Sequence, residues 1–421
     1  MWKRWLMGIA LLVSLPGLAR AESEVDILLN KLVEKGTLTG VEAGQIRREI
    51  AETKEVRNKQ VAKEILPDNW AWKGDVRLRN EYRDQSGESR ENFNRQRIRA
   101  RFGAEGKVND ELKAGFRLAT GSATDPRSTN QTFDGTFAKK SVFVDLAYLT
   151  YAPELPVGRT SLTGGIFENP FWVPSPMAFD SDLSWAGAVT KYAYDVGIPA
   201  TATGFLTGGV FPIEDDLAGR SAVMFSGQTG VVLTPWISEL ESPEYQKNFK
   251  VTGALAYHDM QNVVDSGATI ANTVTTTGIS NTIPQAEDFD MLNANFEVAS
   301  QFAGIPVSTY FDWITNTAAP GDRNGFNTGL KVGKAKNPWS LTDGWEAGFF
   351  YQRLGMDAAF DGFTDSDFNG GGTNNEGFAY WATLAVLKNT TFGIKVLDAQ
   401  VIQDPPKVDT FTVQWDMVTK F

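Results

Sequence analysis

The chain has 421 residues, long enough for several average domains or for one large β-architecture. Lysine and arginine number 40 against 51 aspartates and glutamates, a net charge of −11, so the composition argues against duplex nucleic acid as the partner. Cysteine is absent and histidine occurs once, at His258, which removes thiol chemistry, thiolate or polyhistidine metal sites and acyl-cysteine anchoring, and disfavours a Ser-His-Asp site. A mean hydropathy of −0.25 does not suit a helical membrane bundle.

Residues 1–21 open with Met1-Trp2-Lys3-Arg4, continue through an apolar run from Trp5 to Leu15, break at Pro16-Gly17 and close on Ala19-Arg20-Ala21. A charged start, a short apolar core and an A-x-A site make a secretory signal peptide, and the run falls short of the ~20 residues a membrane helix needs. Export places the mature chain in the periplasm, outside the cell, or in a membrane crossed by strands.

Residues 22–67 read as a helical, coiled-coil-like segment. Val25, Leu28, Leu29, Leu32 and Val33 form one stripe, closed by Gly36. Thr39 with Glu42 forms a capping box for a second helix carrying Ile46 and Ile50, and polar helix formers run on to Pro67. A helical hairpin or short coiled coil accounts for this stripe, and so does an oligomerising or cell-wall-contacting segment.

From residue 68 to 421 the period changes to two. Asp75, Arg77, Arg79, Glu81 and Arg83 alternate with Val76, Leu78 and Tyr82; Arg95, Arg97, Arg99 and Arg101 with Ile98, Ala100 and Phe102; Lys113 and Arg117 with Leu112, Ala114, Phe116 and Leu118. About sixteen strands are predicted, at 70–83, 93–107, 111–120, 141–152, 160–167, 184–195, 199–211, 219–234, 247–260, 288–302, 304–316, 325–334, 344–355, 378–388, 390–398 and 409–421. Connections alternate between long and short, with exceptions at 153–159, 235–246 and 335–343. An even strand number with long loops on one side and turns on the other is the pattern of an all-β transmembrane barrel. A β-sandwich predicts the same dyads, but neither that parity nor a charged ladder on adjacent strands. Strands near 184–194, 199–210, 345–355 and 378–388 are apolar or glycine-rich on both faces, which suits a wall buried between subunits.

The chain ends Phe411-Thr-Val413-Gln-Trp415-Asp-Met417-Val-Thr419-Lys-Phe421, alternately apolar and closed by an aromatic. This end resembles the closing strand of Gram-negative porins, and the resemblance gives Trp415 and Phe421 the role of the signal read by the barrel-assembly machinery. Phe167-Glu168-Asn169-Pro170-Phe171-Trp172, with Phe179-Asp180-Ser181-Asp182 and Trp185, resembles the putative-porin family of outer-membrane barrels, in which a helical preface also precedes the barrel. The resemblance implies an outer-membrane porin, a homotrimer, and an inward-folded third loop that narrows the channel.

A sixteen-stranded barrel leaves an aqueous lumen. Its basic wall is expected to comprise Arg77, Arg79, Arg95, Arg97, Arg99, Arg101, Lys113 and Arg117, faced by Glu168, Asp180 and Asp182 on the third loop, unless the arginines merely pair with Asp75, Glu81 and Glu105. The expected activity is passive diffusion of small hydrophilic solutes and ions, without catalysis, cofactor or metal. A substrate-specific, anion-selective channel is the alternative. A barrel enzyme would need a nucleophile near His258, where Asp259 and Ser266 stand without a motif. Gly370-Gly371-Gly372 lacks the strand and helix of a phosphate-binding loop and is read as an ordinary loop.

Overall fold

The computed structural model describes residues 24–46, 48–49, 69–86, 92–122, 125–196, 202–214, 221–234, 249–262, 289–403 and 408–421. The signal-peptide reading at 1–21 and the helical reading of 51–67 lie outside the described residues. The chain divides into two units, Met1–Asn69 and Trp70–Phe421.

In the first unit, helix α1 spans Glu24–Glu34 and stops where Gly36 takes a positive φ of 70°. The Gly36 and Thr37 amides then donate to the Val33 and Leu32 carbonyls, which closes the helix end. The capping box forms: the Thr39 amide donates to Glu42 Oε2 at 2.7 Å, and the Glu42 amide to Thr39 Oγ1 at 3.2 Å.

The second unit is one antiparallel sheet closed on itself. Its strands are β1 (Trp70–Gln85), β2 (Phe93–Lys107), β3 (Leu112–Thr120), the two-residue β4 (Gln131–Thr132), β5 (Val142–Tyr151), β6 (Arg159–Glu168), β7 (Ser184–Val196), β8 (Ala202–Glu214), β9 (Ala222–Leu233), β10 (Lys250–Gln261), β11 (Phe289–Phe302), β12 (Ile305–Asn316), β13 (Asn324–Ala335), β14 (Gly344–Leu354), β15 (Asn375–Leu387), β16 (Thr390–Val401) and β17 (Asp409–Lys420). Successive long strands pair with one another, and β1 pairs with β17 from Asp75↔Lys420 to Gln85↔Thr410. The result is a closed barrel of sixteen long strands. Strand β4, not foreseen in the loop at 121–140, pairs with β2 at Arg97 and Ile98, beyond the reach of the shorter β3.

The start of β1, the end of β17 and the mostly short connections share one end of the barrel. Gly74 and Phe421 exchange backbone hydrogen bonds at 2.9 and 3.0 Å, so the last residue completes the wall. The Phe421 ring lies over Gly74, where a Cβ would fall 2.6 Å from it, and belongs to an aromatic group with Phe102 and Trp72. At the other end the connections are mostly longer, including 121–141, 169–183 and 355–374.

Burial is inverted relative to a soluble barrel. Val76 and Leu78 are 37 and 49% exposed on the outer face, whereas Arg79 and Glu81 on the inner face are 5 and 1% exposed. The same parity holds around the wall, with Leu255, Phe296, Phe311, Phe349 and Tyr380 outside and Thr252, Asn295, Asp312, Gln352 and Gln414 inside. Phe311, Phe326, Tyr351 and Phe378 adjoin one another across β12–β15 on that outer face, the kind of aromatic row that girdles transmembrane barrels.

The strands with two apolar faces have an explanation inside the barrel. Trp185, Val189 and Phe211 on β7 and β8 point inward and join Phe171, Met177 and Phe179 of the 169–183 loop in one apolar cluster. Phe350 and Ala379 on β14 and β15 cluster in the same way with Phe368 of the 355–374 loop. Their inner faces are apolar because loops pack on them, and no neighbouring subunit is needed to account for the pattern. An outward-facing charge has no such cover, so Leu255→Arg should lower stability in lipid by about 2–4 kcal/mol. Urea unfolding in vesicles measures it, and an unchanged midpoint would contradict the outward assignment.

Candidate lumen site

The basic ladder arises from strand period and register. Arg77 and Arg79 on β1 lie opposite Arg99 and Arg97 on β2, so the backbone alone would stack like charges on one face. Interleaved carboxylates relieve the repulsion. Asp75 accepts from Arg99 Nε at 2.9 Å and Arg101 Nε at 2.6 Å, and Glu81 accepts from Arg95 at 2.6 Å with Arg97 3.5 Å away. Arg79 makes a two-pronged pair with Asp416 of β17, at 2.7 and 2.8 Å. Arg117 pairs with Asp145 and, at 2.6 Å, with Glu168. Arg77 donates to Asn130 Oδ1 at 2.6 Å, and Lys113 is exposed near the 108–111 turn. The wall is therefore both inward-facing and largely ion-paired.

Three loops fold against it. Asp182 lies 3.7 Å from Arg99 and 3.8 Å from Arg101 and accepts from the Thr129 hydroxyl at 2.9 Å. Glu168 reaches the wall through Arg117. Asp180 does not reach it: its carboxylate accepts the Ser366 amide at 2.7 Å and the Asp182 amide at 2.9 Å, which commits it to joining the two long loops.

The acid that meets the upper wall comes from a loop to which the sequence assigns no role. Asp367 accepts from Arg79 Nη1 at 2.8 Å and Gln414 Nε2 at 2.9 Å, with Lys395 3.9 Å away. Its signal in the sequence is Asp365-Ser-Asp367 in a long loop, which becomes meaningful only once that loop is known to enter the lumen. Arg127 is likewise internal, 2% exposed, held by Asp125 and the Asp361 carbonyl. Gly370, Gly371 and Gly372 all have positive φ, and a Cβ on Gly371 would fall 2.3 Å from Arg127 Nη1, so this run is glycine for backbone reasons.

The remaining side of the loop end is apolar. Phe171 and Phe179 lie edge-on to His258 with centroids 5.2 and 5.0 Å away, and His258 Nδ1 contacts Ser226 Oγ at 2.8 Å. His258 is 1% exposed in this packing; Ser226 is its hydrogen-bonding partner, Asp259 is not among the described contacts of its ring, and Ser266 lies outside the described residues. Trp172 is fixed by Gln228, whose side chain accepts its amide at 2.9 Å and donates to its carbonyl at 2.8 Å. Toward the turn end the lumen opens into a cavity of about 390 Å³ flanked by Lys73, Arg117, Tyr148, Glu168, Pro170 and Lys191.

A family model described as "Putative porin" matches residues 46–295 and 286–421. The chain belongs to this porin family. Among solved structures, the high-pH structure of Pseudomonas putida OprB is similar at 11% identity and a TM-score of 0.53, covering 85% of this chain and 96% of that one. Salmonella typhi OmpF in complex with daunomycin matches at 12% identity and a TM-score of 0.47, covering 84 and 98%. No curated protein matches. The OprB likeness concerns the barrel fold; membership of the porin family favours a channel over an enzyme.

The loop acids respond oppositely to pH. Burial, then the charge of Asp365, pushes the Asp180 carboxyl up to about 8, while Asp367, despite its burial, is held well below the carboxylate range by Arg79, Lys395 and Arg77. A carboxyl raised in the docked state binds its proton more tightly there, so docking through Asp180 is strongest below about pH 4 and weakens as pH rises toward 8. Protease cleavage within 169–183 should accelerate over that range, and Asp180→Asn should flatten the profile; a flat wild-type profile would contradict the linkage. Asp367→Ala strips one partner from Arg79 and should weaken docking of 355–374 by about 3 kcal/mol. Hydrogen exchange in that loop reads the change, and unaltered protection would refute the latch.

Proposed function

We propose that this chain is an outer-membrane channel that lets small hydrophilic solutes and ions diffuse passively through its lumen. The supporting observation is the inverted wall: a closed sheet with exposed Leu, Phe and Tyr outside and charged or amide side chains inside. Such a wall suits lipid around it and water within it.

In this reading Arg77, Arg79, Arg95, Arg97, Arg99, Arg101 and Arg117 are the basic side of the constriction, with Glu168 and Asp182 facing them and Asp367 as a further acid. Lys113 sits in the wider mouth. Asp180 acts on the constriction indirectly, by fixing the loops. The end of the barrel with mostly short turns is read as the periplasmic side, as in other transmembrane barrels, and in this reading residues 22–67 lie in the periplasm, available for cell-wall contact. Trp415 and Phe421 belong to the strand that closes the wall, in keeping with an assembly signal there. Trimerisation follows the resemblance to trimeric porins. The protein would be exported by its leader and surrounded by outer-membrane lipid.

The full-length protein, purified folded in detergent and added to a planar bilayer, should give stepwise openings whose conductance rises with salt. Persistent silence from protein shown to be inserted and folded would overturn the channel reading. Native mass measurement should give three copies; a stable single copy would remove the trimer.

A further inference from the structure

The charges most evident in the sequence are poor candidates for setting ion selectivity, because carboxylates already neutralise most of them. Lys73 is paired with Glu105, Arg117 with Asp145 and Glu168, and the β1–β2 arginines with Asp75, Glu81, Asp367 and Asp416. A cation compensated within 4 Å contributes little field to a passing ion.

Beyond Pro170 the situation differs. A second cavity of about 480 Å³ lies between the 169–172 segment and the inner wall of β6–β10. Its lining includes Lys191, Lys250, Trp172, Phe205, Thr207 and Thr252, and among the described residues no carboxylate lines it. Arg159, also at this cavity, is paired with Asp195. Lys191 and Lys250 are exposed, and among the described residues neither has an ion pair. Register places Lys191 beside Thr207 and Thr207 beside Gln228, one polar row across β7, β8 and β9. The same Gln228 clamps the Trp172 backbone, which anchors this aromatic residue at the row. Thr252 Oγ1 is buried without a hydrogen-bond partner among the described atoms. Lys191 and Pro170 also border the first cavity, so the two spaces adjoin.

Uncompensated ammonium groups beside aromatic side chains, in a space of small-ligand size, match a solute with an anionic head and an apolar body. Resting on the channel reading above, we propose that this cavity is a lumen subsite for small organic carboxylates, and that Lys191 and Lys250, rather than the arginine wall, make the channel prefer anions. The carboxylate meets the lysines while the body lies against Trp172 and Phe205.

The test uses the full-length protein in planar bilayers, with a potassium chloride gradient for selectivity and benzoate as probe against benzyl alcohol, its neutral counterpart of similar shape. Wild type should show an anion-selective reversal potential and interruption of the current by benzoate but not by benzyl alcohol. In Lys191→Gln/Lys250→Gln, anion preference should fall and the benzoate concentration for half-block should rise about tenfold or more, the scale of one lost charged hydrogen bond. Lys191→Arg/Lys250→Arg should keep both properties. A conducting wild-type channel blocked equally by the two probes, or a conducting glutamine variant with unchanged selectivity and block, would overturn this inference while leaving the channel standing. Silence from folded, inserted wild type would overturn both.

Discussion

Closure of the sheet is the constraint from which the other features follow. In a hydrocarbon environment an unpaired backbone amide or carbonyl costs several kcal/mol, so a sheet can cross only if its first and last strands pair. Here they do so through β1 and β17, with Gly74 and Phe421 completing the ladder. Once closed, the wall gives each strand one face to lipid and one to the lumen, and the period of two turns that geometric division into a chemical one. The ladder of Arg77, Arg79, Arg97 and Arg99 is tolerable because it faces inward, where carboxylates and loop polar groups can reach it.

The lumen of this barrel is not a uniform polar tube. Toward the long-loop end, the segments at 125–130, 169–183 and 355–374 fold into it, joined by Asp180 to Ser366, Asp182 to Thr129 and Asp367 to Arg79. On one side these loops rest on charge. On the other, Phe171 and Phe179 rest on Trp185, Phe211 and His258. Ionic anchoring fixes where the loop tips point, and apolar packing supplies contact area that does not depend on pH. Nearer the short turns the space widens, and there Lys113, Lys191 and Lys250 remain exposed.

Much of the barrel was legible in the sequence, and the reason is local. A dyad repeat needs only neighbouring residues, so Val76, Leu78 and Tyr82 identify the outer face of β1 and Arg95 to Arg101 the inner face of β2 without any tertiary knowledge. Alternating loop lengths supplied the parity, and the last eleven residues the closing strand. What escaped depends on where long loops go. Asp367 meets Arg79 across 288 positions, a juxtaposition that no spacing announces. Asp180 and Asp182 look equivalent in sequence, yet only Asp182 approaches the arginines, because the Asp180 carboxylate is turned to the Ser366 amide. The inward apolar residues of β7, β8 and β14 obscured the face assignment for the same reason, since the material that covers them is a loop and not lipid.

The central claim is that the polar face encloses water and the apolar face does not, and the natural absence of cysteine allows it to be tested by single thiols. The most direct measurement is modification of Lys191→Cys and Leu255→Cys, each reconstituted in lipid, by a charged, membrane-impermeant thiol reagent while the current is recorded. The inverted-wall account predicts rapid labelling of Cys at 191 with a drop in current, and no labelling at 255. Labelling at 255 with protection at 191 would contradict it.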